Sequence, residues 1–163
     1  MKKIKIIAYV FCYLLFVNGC STKKATIANY TYQSECLGVA LDGSVTLKAW
    51  GNGRNIFVAS EQAKKNAIRD VLFKGISAGS GECESRPLVT EGNAQRRYED
   101  YFNRFFSDGG IYRDFVSLKD ERISDKMSRK KIKTQHGVTY SVVVRVLRYE
   151  LKEKLVADSI LNK

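Results

Sequence analysis

The residues best suited to chemistry in this 163-residue chain are four cysteines, one histidine and scattered carboxylates. His136 is the one side chain that titrates near neutral pH without a shift, which suits general acid or base catalysis. It stands beside Gly137 in a sequence typical of a hairpin turn, and no nucleophile elbow, zinc-binding helix or paired-carboxylate spacing accompanies it. We therefore expect a protein that is not an enzyme. Acid–base work by scattered carboxylates stays open for Asp108, Asp114 and Glu121.

Nucleotide and metal sites both lack the spacing that they require. Gly51-Asn52-Gly53 precedes a predicted helix, but Ile56 occupies the place of the third glycine in a dinucleotide-binding loop. We interpret these glycines as a turn. One histidine far from the cysteines makes a poor tetrahedral site, so we expect no zinc and no other cofactor.

The first twenty residues have the pattern of an export signal. Three lysines precede twelve uncharged residues, 6–17, a run too short for a membrane-spanning helix of about 20 residues. The sequence Val17-Asn18-Gly19-Cys20 resembles a bacterial lipobox. In lipoproteins this cysteine carries a diacylglyceryl thioether and becomes the N-terminus after cleavage. The resemblance implies a signal peptide over residues 1–19 and lipidation of Cys20.

The expected mature chain is basic and anchored by lipid. Cleavage leaves 144 residues with 25 basic and 17 acidic side chains, a net charge of +8. Acyl chains hold such a protein on a membrane essentially permanently, and residues 20–33 predict a polar tether. Cys20 is not followed by aspartate, the signal that retains lipoproteins in the inner membrane. We expect attachment to the outer membrane of a Gram-negative cell, facing the periplasm, where nucleic acid is not an expected partner.

The two remaining cysteines are available for one disulfide. Cys12 leaves with the signal and Cys20 is used by lipid, so Cys36 and Cys83 can pair in an oxidising compartment. The bridge closes a loop of about 48 residues and stabilises the fold by roughly 4 kcal/mol. The alternative is two buried thiols.

A basic run is the candidate partner-binding segment. In one interpretation it is a solvated hairpin, where lysine discourages pairing between sheet edges. In the other it attracts anionic lipid headgroups, lipopolysaccharide or an acidic partner protein. The sequence leaves both interpretations open for Lys126, Arg129, Lys130, Lys131 and Lys133.

The elements that position these residues predict one α+β domain over residues 34–163. Runs 38–41 and 44–50 flank Asp42-Gly43, a strong hairpin signal, and Gly51 ends the second strand. Helices are predicted over 58–76, from a cap at Asn93 to a point before Gly109-Gly110, and around Leu151 and Leu155; strands are predicted over 115–118 and 138–147. This order indicates a two-layer domain, an antiparallel sheet with helices packed on one face.

The second predicted helix has an unusually aromatic stripe. Its rings recur at spacings of three and four residues, which we interpret as core, with a partner-docking surface as the alternative. The residues are Tyr98, Tyr101, Phe102, Phe105 and Phe106.

One stretch carries a resemblance to a known class of proteins. The strand ending in Trp50-Gly51-Asn52-Gly53, followed by Ala59, Gln62-Ala63 and Asn66-Ala67, is similar to small Gram-negative envelope lipoproteins and to the N-terminal domain of flagellar assembly protein T. It covers about a third of the mature chain. The resemblance implies a non-enzymatic part of an envelope assembly. The architecture is also similar to accessory lipoproteins of type VI secretion apparatuses.

We therefore expect a lipid-anchored, non-enzymatic binding or assembly component of an outer-membrane-associated complex, such as a secretion apparatus. One alternative is a periplasmic ligand-binding or hydrolytic protein with a pocket near the aromatic helix. The other is a binder of peptidoglycan or lipopolysaccharide.

Overall fold

A computed structural model describes residues 33–118, 129–134 and 137–162. The predicted signal peptide, nearly all of the tether, Cys20, Lys126 and His136 lie outside these described residues. So does Glu121 among the candidate carboxylates.

The described chain is an α+β domain built on a mixed, mostly antiparallel sheet. The sheet order is β3-β1-β2-β6-β4, and β5 also pairs with β6. β3 pairs with β1 in parallel, and the other neighbours are antiparallel. The strands are β1 Glu35–Val39, β2 Val45–Gly53, β3 Ala78–Gly79, β4 Val116–Ser117, β5 Lys131–Thr134 and β6 Gly137–Val146. The predicted fold class is confirmed, and the short parallel strand β3 is an addition to it.

The second predicted helix is shorter than the sequence pattern indicates. The single aromatic helix is two short helices, broken at Tyr98, whose φ of −112° and ψ of 35° are not helical. A 3₁₀ turn, Ile111–Phe115, leads into β4. The α-helices are α1 Ile56–Arg69, α2 Ala94–Arg97, α3 Glu99–Phe105 and α4 Arg148–Ala157.

The predicted hairpin is present, but the prediction that Gly51 ends its second strand is wrong. β2 continues to Gly53, whose Cα lies opposite Val138 of β6. The glycines serve packing rather than a turn, because α1 crosses directly over them. A Cβ on Gly51 would lie 2.1 Å from the carbonyl oxygen of Ala59 and 2.3 Å from the nitrogen of Ala63. Only glycine permits this contact between helix and strand.

The end of α1 corrects a second expectation. Apolar residues at helical spacing from Ala63 to Ile76 predict that Asp70 lies on the opposite, solvent-facing side of this helix, yet Asp70 is only 5% exposed. It begins a π-helical turn, Asp70–Lys74, that ends at Gly75. The carboxylate of Asp70 accepts a hydrogen bond from the Ser34 hydroxyl at 2.6 Å and forms an ion pair with the Lys74 ammonium at 3.0 Å. These partners make burial of the charge tolerable.

The core lies between the sheet and the helices. Val142, Val144 and Val146 of β6 are buried on the face that carries Leu47 and Ala49 of β2, as the alternation predicts. The aromatic stripe completes the core, which confirms its interpretation as packing. The Sγ atoms of Cys36 and Cys83 are 2.01 Å apart, so these residues form the predicted disulfide.

Candidate functional site at the basic end of the sheet

Three strands and one helix meet at the end of the sheet where β2 finishes. Gly53 and Lys133 both lie opposite Val138, one on each side of β6. Since neighbouring strands are about 4.8 Å apart, the Cα atoms of Gly53 and Lys133 are separated by about 10 Å. The turn after Gly53 carries Arg54, and α1 begins two residues later. We call this region the basic end: residues 50–60, 129–134 and 137–140.

The basic end carries charge of one sign. Its described residues include five basic side chains and no acidic one. Within the described chain, the side chains of Arg54, Lys131 and Lys133 make no ion pair, and all three residues are exposed. The N-terminus of α1 is the positive end of its macrodipole and adds to this field. No acidic residue in the first turn of α1 offsets it. The result is a concentrated positive potential on one surface.

Apolar side chains stand among these charges. Phe57, in the first turn of α1 and three residues after Arg54, is 73% exposed, and Ile132, on the opposite face of β5 from Lys131 and Lys133, is 41% exposed. Ile56 is 40% exposed. Exposed large apolar groups within a polar surface are typical of sites that contact another surface. Asn55 fixes their position, because its side-chain oxygen accepts a hydrogen bond from the Val58 nitrogen at 2.9 Å and so begins the helix.

Four of the five basic residues selected from the sequence lie at the basic end. Lys131 and Lys133 lie on β5, and Lys130 precedes it with its backbone nitrogen 2.7 Å from the Ser141 hydroxyl. Arg129 has contacts of its own, and Lys126 lies outside the described residues. Arg54 and Phe57 are far from these lysines in sequence, and no pattern within a single segment connects them to the basic run. The available sequence signal was a basic residue, Arg54, and an aromatic residue, Phe57, on either side of Asn55, a residue type that favours helix caps.

The opposite end of β2 carries a different surface, which we call the hairpin end: residues 37–45, 82–84 and 148–152. Its centre is a shallow groove of about 340 Å³ whose wall includes Val39, Gly43 and Tyr149. Leu41 projects fully into solvent from the turn, and Tyr149 is 60% exposed. The charged side chains of the groove have both signs: Glu82, Glu84, Arg148 and Lys152. Arg148 and Glu84 form an ion pair at 2.6 Å.

Polar contacts hold the hairpin turn in place. The Ser44 hydroxyl donates to Asp42 at 2.6 Å, and the Arg145 guanidinium, on β6, donates to both Asp42 and Ser44. The hydrogen bonds from Ser44, followed by the charge of Arg145, lower the pKa of Asp42. The turn that presents Leu41 is therefore fastened to the central strand of the sheet.

The carboxylates considered for acid–base chemistry are engaged in ion pairs or stand alone. Asp108 accepts a hydrogen bond from Lys65 at 2.9 Å, which lowers the pKa of this exposed carboxylate. Asp114 is exposed and is not brought beside Asp108 by any described contact. Glu61 is more enclosed: burial would raise its pKa, but hydrogen bonds from Lys64 and Tyr112 and the charge of Arg113 lower it overall. Residues 33–118, 129–134 and 137–162 contain no group of three metal-ligating side chains.

The groove beside the aromatic helices is polar at its rim. It has a volume of about 440 Å³ and is lined by Arg69, Glu99, Asn103 and three phenylalanines, including Phe102 and Phe106. Those two phenylalanines are buried, and Phe105 is fully buried. The rings pack against one another, as between Phe73 and Phe102, whose centroids are 4.9 Å apart. They are committed to the core rather than to a ligand.

Comparison with known proteins identifies no relative. No family model, no curated protein and no solved structure matches this chain. In the part of the chain that the structure describes, no helix combines the length and hydrophobicity needed to cross a bilayer.

Proposed function

We propose that this protein is a lipid-anchored, non-enzymatic binding component of an assembly at the outer membrane, facing the periplasm. In this proposal Cys20 carries the lipid, residues 20–33 are the tether, and the described domain holds another envelope protein. A secretion apparatus is one assembly of this kind.

The observation that best supports a binding role is the exposed apolar surface of the hairpin end. Val39 and Leu41 lie at the end of β1 and in the turn, Leu37 lies on the opposite face of β1 from Val39, and all three are exposed. Burial of the fully exposed Leu41 would provide roughly 1.5–3 kcal/mol, and burial of the half-exposed Leu37 and Val39 roughly half as much each. The rest of the domain is well satisfied, since no described buried side-chain polar atom lacks a hydrogen-bond partner. An apolar surface held rigidly on such a domain is typical of a protein-binding site.

The anchor is tested separately from the binding role. The mass of the N-terminal peptide of the protein purified from membranes should correspond to a diacylglyceryl group on Cys20. Cys20→Ala should leave the protein unprocessed and without this group. An N-terminus cleaved elsewhere and carrying no lipid would contradict the anchor and leave the binding role standing.

The partner is tested by cross-linking in intact cells followed by purification of the lipoprotein. We expect one set of envelope proteins to be enriched with the unchanged protein and to be lost with Leu41→Asp. The matched control is Ile111→Asp, because Ile111 is an exposed apolar residue outside the hairpin end. Equal recovery with both variants would show that the hairpin end is not the binding surface.

Two other functions are distinguished by the same samples. A periplasmic ligand-binding or hydrolytic protein predicts recovery of the lipoprotein alone, at full cross-linking efficiency. A binder of peptidoglycan or lipopolysaccharide predicts co-sedimentation with the polymer that weakens as salt is added. The exposed apolar residues of the hairpin end support a protein partner more strongly than the described contacts support either of these two functions.

A further inference from the structure

The basic end has a property that a protein-binding role at the hairpin end does not use. Five of its described residues are basic and none is acidic, although the whole chain contains 17 acidic side chains. The described charges that Arg54 and the lysines of β5 present to solvent are therefore all positive. A surface of this kind attracts a polyanion or an anionic lipid surface.

Exposed aromatic and aliphatic groups distinguish these two partners. Ile56 and Phe57, two and three residues after Arg54, are 40% and 73% exposed, and Ile132 is 41% exposed on the opposite face of β5 from Lys131 and Lys133. Lysine and arginine close to phenylalanine form the pattern of surfaces that lie at a lipid interface, where the cations meet phosphates and the ring enters the headgroup region. A soluble polyanion would not favour exposed apolar side chains.

The direction of the chain adds a second argument. β1 runs antiparallel to β2 with Glu35 opposite Lys48, so residues before Glu35 lead toward the end of the sheet that carries Gly53. Gln33 continues in this direction and donates a hydrogen bond from its side chain to the Ser77 hydroxyl at 2.8 Å. The chain thus enters the described domain from the side of the basic end. The hairpin end is at the other end of β2, about 27 Å away at 3.4 Å per residue.

We propose that the basic end is a membrane-facing surface that binds anionic phospholipid, with Phe57 in the headgroup region and Arg54, Lys131 and Lys133 against the phosphates. This inference deepens the proposed function, because it orients the anchored domain so that the hairpin end points away from the bilayer. Lipid recognition itself depends on the described residues and not on acylation.

The test measures which end of the domain touches lipid. The full protein is purified from membranes and incorporated into vesicles by detergent removal, whichever hydrophobic group holds it there. Phe57→Trp and Leu41→Trp each add one tryptophan at opposite ends, and the unchanged protein supplies the signal of buried Trp50. The vesicles contain brominated phosphatidylglycerol, which quenches tryptophan on contact, or brominated phosphatidylcholine as the zwitterionic comparison.

We expect quenching of the added tryptophan in Phe57→Trp on phosphatidylglycerol, at least threefold greater than in Leu41→Trp. The difference should shrink on phosphatidylcholine and as salt is raised from 50 to 500 mM, because screening weakens the attraction. Adding Lys131→Glu and Lys133→Glu to Phe57→Trp should reduce the quenching at position 57 to the level measured for Leu41→Trp. Adding Lys152→Glu, at the hairpin end, should leave the quenching at position 57 unchanged.

Equal quenching at positions 57 and 41, or none at either, would overturn the proposal. Insensitivity to the double charge reversal would also overturn it, because contact would then not depend on phosphate recognition. Mass spectrometry of the same samples reads the N-terminus, so failure of lipidation is distinguished from failure of lipid contact. If the basic end instead bound an acidic protein, the tryptophan at position 57 would remain unquenched on both lipids.

Discussion

Lys133 and Gly53 lie on opposite sides of Val138, and this shared neighbour joins the basic strand to the turn before α1. The two residues are 80 positions apart in the sequence. Their proximity converts a basic run, which by itself is compatible with an ordinary solvated hairpin, into one side of a surface that also contains Arg54 and Phe57. The function proposed for this end depends on that pairing.

Gly51, which lies beneath α1, should tolerate no side chain. Gly51→Ala is expected to lower the free energy of unfolding by about 3 kcal/mol, because the new methyl group would overlap backbone atoms of Ala59 and Ala63. Chemical denaturation measures the change. The matched control is Gly92→Ala, whose Cβ would have no atom within 4 Å; its effect should stay within about 0.5 kcal/mol. Similar small effects of both substitutions would contradict the packing described.

The disulfide should contribute substantially to stability. Replacing Cys36 and Cys83 together by alanine is expected to lower the free energy of unfolding by about 4 kcal/mol, because the bridge restricts the unfolded chain over 47 residues. Thermal denaturation should show a lower Tm for the variant. Adding reductant to the unchanged protein should also lower the Tm. An unaltered Tm in both experiments would show that the disulfide does not stabilise the folded protein.

The buried carboxylate of Asp70 should be coupled to Ser34. Asp70→Ala is expected to lower the free energy of unfolding by about 2–3 kcal/mol, since the Ser34 hydroxyl and backbone nitrogen lose their acceptor. Asp100→Ala, at an exposed carboxylate, provides the control. A double-mutant cycle with Ser34→Ala should give a coupling of about 1–2 kcal/mol. Additive effects would show that the two residues do not stabilise each other.

Acid should weaken the domain through two carboxylates. Burial would raise the pKa of Asp158, but hydrogen bonds from Lys154 and Tyr101 lower it below the ordinary value of 3.8. The pKa of Glu61 is likewise below its ordinary value of 4.5. A lowered folded-state pKa stabilises the fold above the unfolded-state pKa, and this contribution is lost as the pH falls through the folded-state value. Stability should therefore decrease as the pH falls below about 4.5.

Substitution of Asp158 isolates its contribution to this loss of stability. Asp158→Asn should flatten the decrease in unfolding free energy between pH 4 and pH 2, whereas Asp100→Asn should leave it unchanged. Denaturant titrations at fixed pH values give the comparison. If Asp158→Asn left the slope as steep as in the unchanged protein, the ion pair of Asp158 with Lys154 at 2.8 Å would not be maintained in solution.

The sequence predicted the parts of the fold that depend on local patterns. Asp42-Gly43 indicated the first hairpin, and alternation over β6 assigned its buried face, because both signals arise from neighbouring residues. The same local reasoning misplaced Asp70, whose burial depends on Ser34, 36 positions away. It also assigned Gly51 to a turn, because nothing in the segment itself reveals a helix packed above it.

The candidate site was predictable only in part for the same reason. Lys130, Lys131 and Lys133 are adjacent in sequence and were selected together. Arg54 and Phe57 join them through the register of β2 on β6, which a single sequence does not reveal. Their exposure, rather than their residue type, is what distinguishes them.

The central claim is that the two ends of β2 face different partners, a lipid surface at the basic end and a protein at the hairpin end. The most direct measurement is photo-cross-linking in living cells with a photoreactive phenylalanine analogue at position 57 or at position 41. We predict a discrete protein adduct from position 41 and adducts with lipid alone from position 57. A protein adduct from position 57 with none from position 41 would contradict the account.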